Sequence, residues 1–189
     1  MKALLLTLAL LFSPAITSAT AATPATKPSD RALVIELTIP APIAEVWDAF
    51  TTEKGLSTWL APSTTVDLRP GGDWLVHFGP STGGGTIVSF VPQRELVLSA
   101  LAPDKFPAVR AARTRAVFTF EPRGNATVVR LTQTGWQSGP EWDAAYEYLA
   151  AGNAQLLAQL HHRFVSGPST GRSSNQRHSH RPIFGTANR

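Results

Sequence analysis

Pro40-Ala41-Pro42-Ile43-Ala44-Glu45-Val46-Trp47-Asp48-Ala49-Phe50, followed at once by Gly55-Leu56-Ser57-Thr58-Trp59-Leu60, is the stretch that decides how this chain folds. Ile43, Val46, Trp47 and Phe50 stand at i, i+3, i+4 and i+7, which lays one apolar stripe along a short helix. Pro42 suits the first turn, where a missing N–H costs nothing. Just upstream, Leu33, Ile35, Leu37 and Ile39 alternate with Ala32, Val34, Glu36 and Thr38, the period of a strand with one face more apolar than the other. The order is strand, short helix, then a second short helix closing on Trp59.

Downstream the pattern changes to strands and turns. Residues 65–69 read as a second strand, and Arg69-Pro70-Gly71-Gly72 as a turn in which Pro sets the first central φ and Gly accepts a positive φ at the second. Trp74, Val76 and Phe78 alternate with Asp73, Leu75 and His77 in a third strand. Residues 80–85 read as a loop. Gly83-Gly84-Gly85 within it lacks the Lys-Ser/Thr ending of a phosphate loop and is expected to be a turn. Residues 86–91, 95–101, 114–121 and 126–134 follow as strands, the last two joined at Arg123-Gly124-Asn125. Strands this close together leave no room for helical crossovers, so the sheet is antiparallel. Residues 102–112, with two prolines, form the longest irregular stretch, either the border of a pocket or a surface loop.

The last element is the strongest helix. Ser138-Gly139-Pro140-Glu141 matches a capping box with an early Pro. Trp142, Tyr146, Leu149, Asn153, Leu156, Leu157, Leu160 and Phe164 make a stripe at helical spacing, and Gly167-Pro168 stops it. His161, His162 and Arg163 fall in the final turn, where positive charge is favoured. Such a helix needs a broad apolar surface, and the sheet is the one available. The expected fold is α+β: an antiparallel sheet wrapped around one long C-terminal helix, with two short helices after the first strand.

The two ends read differently from this middle. Lys2, the apolar run 3–12, Pro14 and Ala19-Thr20-Ala21 have the features of a secretory signal cleaved after Ala21. The apolar run falls well short of the roughly 20 residues of a membrane span, so no stable anchor is expected after cleavage. Residues 22–30 read as a linker, 31–166 as one domain, and 167–189 as a disordered basic tail. The net charge of +4 belongs to that tail, since residues 31–165 sum to −1. A nucleic-acid-binding domain would carry a basic face of its own, so nucleic acid is not an expected partner. The chain has no cysteine, which excludes disulfides, thiol catalysis and a cysteine-linked lipid.

Strand, two short helices, a run of antiparallel strands and a long terminal helix is the helix-grip order of START-like (SRPBCC) proteins. Pro42-Ile43-Ala44-Glu45-Val46-Trp47-Asp48-Ala49-Phe50, Trp59, Arg69-Pro70-Gly71-Gly72, Gly85-Thr86-Ile87-Val88, Pro92-Gln93-Arg94-Glu95-Leu96-Val97 and Thr127-Val128-Val129-Arg130-Leu131-Thr132-Gln133-Thr134-Gly135-Trp136 resemble the bacterial homologues of the heat-shock-protein-90 ATPase activator. The resemblance covers residues 31 to about 165. It implies a cavity between helix and sheet that holds an apolar or amphipathic small molecule. The signal-like start and basic tail depart from cytoplasmic members, so a periplasmic or secreted protein is expected, without a cytosolic chaperone as partner.

The expected cavity lining is Trp59, Trp74, Phe78, Trp136, Trp142 and Tyr146, with Asn153 adding an amide. Aromatics at these spacings serve equally well as plain core. No cofactor is expected. His161-His162 are adjacent and point about 100° apart on a helix, and His178-Ser179-His180 lies in the tail, so no metal site is expected. Gly-x-Ser-x-Gly is absent, which removes a nucleophile elbow. Glu141 and Asp143 complement the dipole at a helix start. The reading is a non-catalytic binder of a hydrophobic small molecule. The alternatives are a cyclase- or lyase-like enzyme using His77 or Tyr146 as proton donor, and an envelope interaction module.

Overall fold

The computed structural model describes residues 30–168. The signal-like start, most of the linker and all but the first residues of the basic tail lie outside the described residues. The elements in chain order are β1 (Leu33–Ile39), α1 (Ile43–Thr51), α2 (Glu53–Ser57), β2 (Ser63–Val66), β3 (Asp73–Phe78), β4 (Ser81–Val91), β5 (Glu95–Leu101), α3 (Pro107–Ala112), β6 (Thr114–Arg123), β7 (Ala126–Thr134) and α4 (Pro140–Ser166). The strands form one seven-stranded antiparallel sheet in the order β1-β7-β6-β5-β4-β3-β2. The helical detour after β1 carries the chain to the far edge, and a meander returns it to β7 beside β1. The expected α+β helix-grip architecture is the architecture found.

The opening helices behave as their spacing dictates. Val46, Trp47, Ala49 and Phe50 of α1 are buried, and Ile43 packs partly against the core. Pro42 is the cap residue rather than the first helical one, and its carbonyl accepts from Glu45 and Val46 at 3.0 and 3.2 Å. Phe50 is the hub: its ring centroid lies 5.2 Å from those of Trp59, Phe118 and Phe120. The helix end is closed by side chains from elsewhere. Trp59 Nε1 donates to Ala49 O at 2.9 Å, and Trp74 Nε1 donates to Phe50 O at 2.7 Å. Two of the carbonyls that a helix C-terminus leaves without an intrahelical partner are thereby satisfied inside the core.

The turn at Arg69-Pro70-Gly71-Gly72 forms as expected, with Gly71 at φ 81° and Gly72 N–H bonded to Arg69 O at 2.9 Å. Three local expectations are corrected. Residues 81–85 are not a loop but the start of β4, and the three glycines are strand residues rather than a turn. The reason is close approach: a Cβ on Gly84 would lie 2.1 Å from Trp74 O, and one on Gly85 would lie 2.3 Å from Ser99 O. Residues 102–112 are not wholly irregular, because 107–112 form α3.

The capping box at Ser138 does not form. Gly139, at φ 132°, is the cap residue and no side chain caps α4. The Glu141 carboxylate turns instead to α3, accepting from Ala108 N–H at 2.8 Å and Val109 N–H at 3.3 Å. One helix start thus supplies the acceptor for another helix's unpaired first-turn donors. Asp143 meets Arg31 at 2.9 Å, and the Arg31 guanidinium carbon lies 4.2 Å from the Tyr146 ring centroid, so the start of β1 is clamped to α4.

Trp142, Ala145, Leu157 and Leu160 of α4 are buried. Among the described residues, no helix is long and apolar enough to cross a membrane.

Candidate functional site

Cross-strand partners in an antiparallel pair point to the same side of the sheet. On the side facing α4, Trp74, Val76 and Phe78 of β3 pair with Gly85, Gly83 and Ser81 of β4. Further along come Leu98 and Ala100 of β5, Ala116 and Phe118 of β6, and Leu131 and Gln133 of β7. Gly83 carries no side chain, and only Phe78 Cε2, at 3.8 Å, lies near where its Cβ would be, so the space beside Val76 stays open.

A cavity of about 520 Å³ lies there, between the sheet and α4. That volume falls within the range of small-molecule sites. Its inner wall includes Trp74, Val76, Leu98, Ala116, Phe118 and Leu131, and α4 contributes Leu149, Asn153 and Leu156.

The rim is polar and tied down. Tyr148, Gly152, Gln155 and Gln159 of α4 line it and are exposed. Across from them stand Phe78, Ser81 and Thr82 of the β3–β4 hairpin, with Pro103 and Asp104 after β5. Arg110 holds the last two segments together: its Nε meets Asp104 Oδ1 at 3.0 Å, and its Nη1 donates to Thr82 O at 3.4 Å and to Ala102 O. Lys105 Nζ lies 3.4 Å from the Tyr148 ring centroid.

Trp74, Phe78 and Asn153 of the expected lining face this cavity. Trp59, Trp136, Trp142 and Tyr146 do not line it. Trp59 is core beneath α1, where its indole caps Ala49. Trp136 packs edge-on against Trp142 and Tyr146, with centroids 6.4 and 5.0 Å away, at the start of α4. Tyr146 donates its hydroxyl to Ala32 O at 3.1 Å, so the group proposed as a proton donor serves the β1–α4 clamp.

His77 alternates with Trp74, Val76 and Phe78 and falls on the opposite side of β3. There it lies between Thr65 Oγ1 at 3.4 Å and Thr82 Oγ1 at 3.3 Å.

The residues missed from sequence are the polar ones inside. Gln133 is 3% exposed, yet it lies in the inward register of Val129 and Leu131. Its Nε2 donates to Thr114 Oγ1 at 2.7 Å, and its Oε1 accepts from Asn153 Nδ2 at 3.0 Å. An amide where period-two alternation calls for an apolar side chain was the available signal. Gly83, Gly84 and Gly152 were missed because a lining made of absent side chains has no motif.

A second recess, about 340 Å³, is lined by Val91, Arg94, Glu95, Thr119, Phe120 and Glu121. Its charged lining makes it the poorer fit for an apolar ligand. Among the described residues, no group of three or more His, Cys, Asp or Glu side chains is arranged to hold a metal ion.

Comparison with known proteins agrees with this geometry. The family model described as Activator of Hsp90 ATPase homolog 1-like protein matches residues 40–164. The solution structure of the Aha1 dimer from Colwellia psychrerythraea is 19% identical, with a TM-score of 0.61, over 72% of this chain and 98% of that one. Protein MLL2253 from Mesorhizobium loti is 22% identical, with a TM-score of 0.59, over 69% and 94%. CalU16 from Micromonospora echinospora is 22% identical, with a TM-score of 0.56, over 72% and 75%. At these identities the likeness is one of fold. No curated protein matches the sequence.

Proposed function

This chain belongs to the family of Activator of Hsp90 ATPase homolog 1-like proteins, and from that premise we propose that it binds a hydrophobic or amphipathic small molecule between its sheet and α4 without transforming it. The observation that carries this reading is the cavity of about 520 Å³ with an apolar inner wall. Burying apolar ligand surface there is worth about 25 cal/mol per Å² before ordering costs are subtracted. A few polar groups at one wall fix orientation, the usual division of labour in such sites.

The non-catalytic reading is favoured over a cyclase- or lyase-like one by where the proton-transfer candidates lie. His77 is on the far side of β3, and the Tyr146 hydroxyl is engaged with Ala32 O. The ionisable side chains that do line the cavity, Asp104 and Tyr148, are largely exposed at its rim.

The signal-like features of the first 21 residues support action in the periplasm or outside the cell. A cytosolic chaperone is not proposed as a partner.

Native mass spectrometry of the protein purified from its own host, followed by solvent extraction, tests the reading. A defined extra mass that extracts as an apolar compound supports it. An enzyme would instead yield a mixture of two compounds differing by a reaction step.

A further inference from the structure

The inner wall of the cavity carries a polar feature that apolar ligand binding alone does not require. Gln133 is almost fully buried, and with Asn153 and Thr114 it forms a relay across three elements where α4 passes the ends of β6 and β7. A buried amide costs stability unless its hydrogen bonds are made, so such a group is retained inside an apolar wall only where partners use it.

The relay can be counted. Asn153 Nδ2 donates one N–H to Gln133 Oε1, and Gln133 Nε2 donates one to Thr114 Oγ1. An asparagine amide offers two N–H donors and two acceptor lone pairs. Asn153, half-buried on the cavity wall, therefore keeps a second N–H and its Oδ1 for whatever occupies the space. Turning both amides over reverses the direction of the relay and leaves Asn153 with both a donor and an acceptor to offer. Among the described residues, no lysine, arginine or histidine lines the cavity, and Lys105 and Arg110 meet it only through the rim residues Tyr148, Thr82 and Asp104.

We propose that Asn153, held in place by Gln133 and Thr114, reads an uncharged head group that both donates and accepts a hydrogen bond, so that the ligand is an apolar body ending in a hydroxyl or a primary amide. A carboxylate is acceptor-only. It would meet the Asn153 N–H but oppose its Oδ1, and its charge would be desolvated with no lysine, arginine or histidine among the described lining residues. An alcohol satisfies both groups of the asparagine. This inference rests on the binding reading above and names the ligand class of the same cavity.

The test uses Nile red, an uncharged fluorophore, displaced by decane, decanol and decanoate from the wild-type protein and from Asn153→Leu. Nile red binding reports on the cavity itself, independently of head-group preference. The expected result is that decanol displaces the dye at lower concentration than decanoate. In Asn153→Leu, the affinity for decanol relative to decane should fall roughly three- to tenfold, the equivalent of one net hydrogen bond. Asn153→Asp serves as a second variant: it keeps the shape, loses the donors, and should weaken decanoate further.

If decanoate equals or exceeds decanol, or if Asn153→Leu leaves the decanol-to-decane ratio unchanged while Nile red still binds, the head-group inference is overturned and the binding reading stands. If Nile red and all three competitors fail to bind the wild-type protein, the binding reading falls and takes this inference with it.

Discussion

The indole of Trp74 does two jobs at once: its ring lines the cavity, while its Nε1 donates to Phe50 O at 2.7 Å and closes the C-terminal end of α1. The cavity wall and the opening helix are therefore one packed unit. Trp74→Phe keeps an aromatic wall but strands a buried carbonyl. The expected cost is about 1–3 kcal/mol of unfolding free energy, read from the shift in urea midpoint at unchanged m-value. An unshifted midpoint would show that the hydrogen bond is dispensable.

Glu141 joins α4 to α3 through the Ala108 and Val109 amides. Glu141→Ala should lower stability by about 1 kcal/mol, the scale of a lost helix cap. The loss should be local, appearing as faster amide hydrogen exchange in α3 while β5 and β6 keep their protection. Uniform exchange changes would mean that α3 is held by packing alone.

Neighbouring glycines of β4 should respond oppositely to the same substitution. Gly84 sits at φ +104°, with Trp74 O 2.1 Å from where a Cβ would be. Gly84→Ala should therefore cost at least about 2 kcal/mol through strain and a backbone clash. Gly83 has no such restriction: a Cβ would meet only Phe78 Cε2, at 3.8 Å. Gly83→Ala should be neutral or slightly stabilising, because strand-interior glycine carries an entropic penalty. Thermal unfolding of the two variants side by side distinguishes the cases.

Gly152 interrupts α4 at an exposed position on the cavity rim, and nothing lies within 4 Å of where its Cβ would be. Gly152→Ala should raise stability by about 0.5–1 kcal/mol, the ordinary helix-interior difference. A loss of stability would mean that the rim closes more tightly on α4 than the geometry shows.

The architecture was legible in the sequence because its signals are local and periodic. The Ile43-Val46-Trp47-Phe50 stripe, the alternation of β1 and β3, and the Pro70-Gly71 turn each name an element from a few residues. The site was only partly legible, for a physical reason. Trp74, Phe78 and Asn153 were found as conspicuous side chains at inward positions.

Trp136, Trp142 and Tyr146 are equally conspicuous, but they pack on one another at the start of α4, beside the Arg31 clamp, and spacing along one helix does not reveal what faces it. The cavity opens over Gly83, which leaves space beside Val76, and that pairing becomes visible only when β3 and β4 are set in register. Glu141 shows the same limit: a capping-box spacing was present, but Gly139 turned the chain and the carboxylate found a different helix.

The central claim is that the space over Gly83 is occupied by an apolar molecule, and the most direct measurement is a Nile red titration of the wild-type protein against Gly83→Leu. Leucine at this position projects into the cavity from a backbone that tolerates it, so the unfolding midpoint should hold or rise. Saturable, blue-shifted fluorescence is expected for the wild type, with an affinity lower by about tenfold or more for the variant. Equal binding by the two proteins, with both folded, would contradict it.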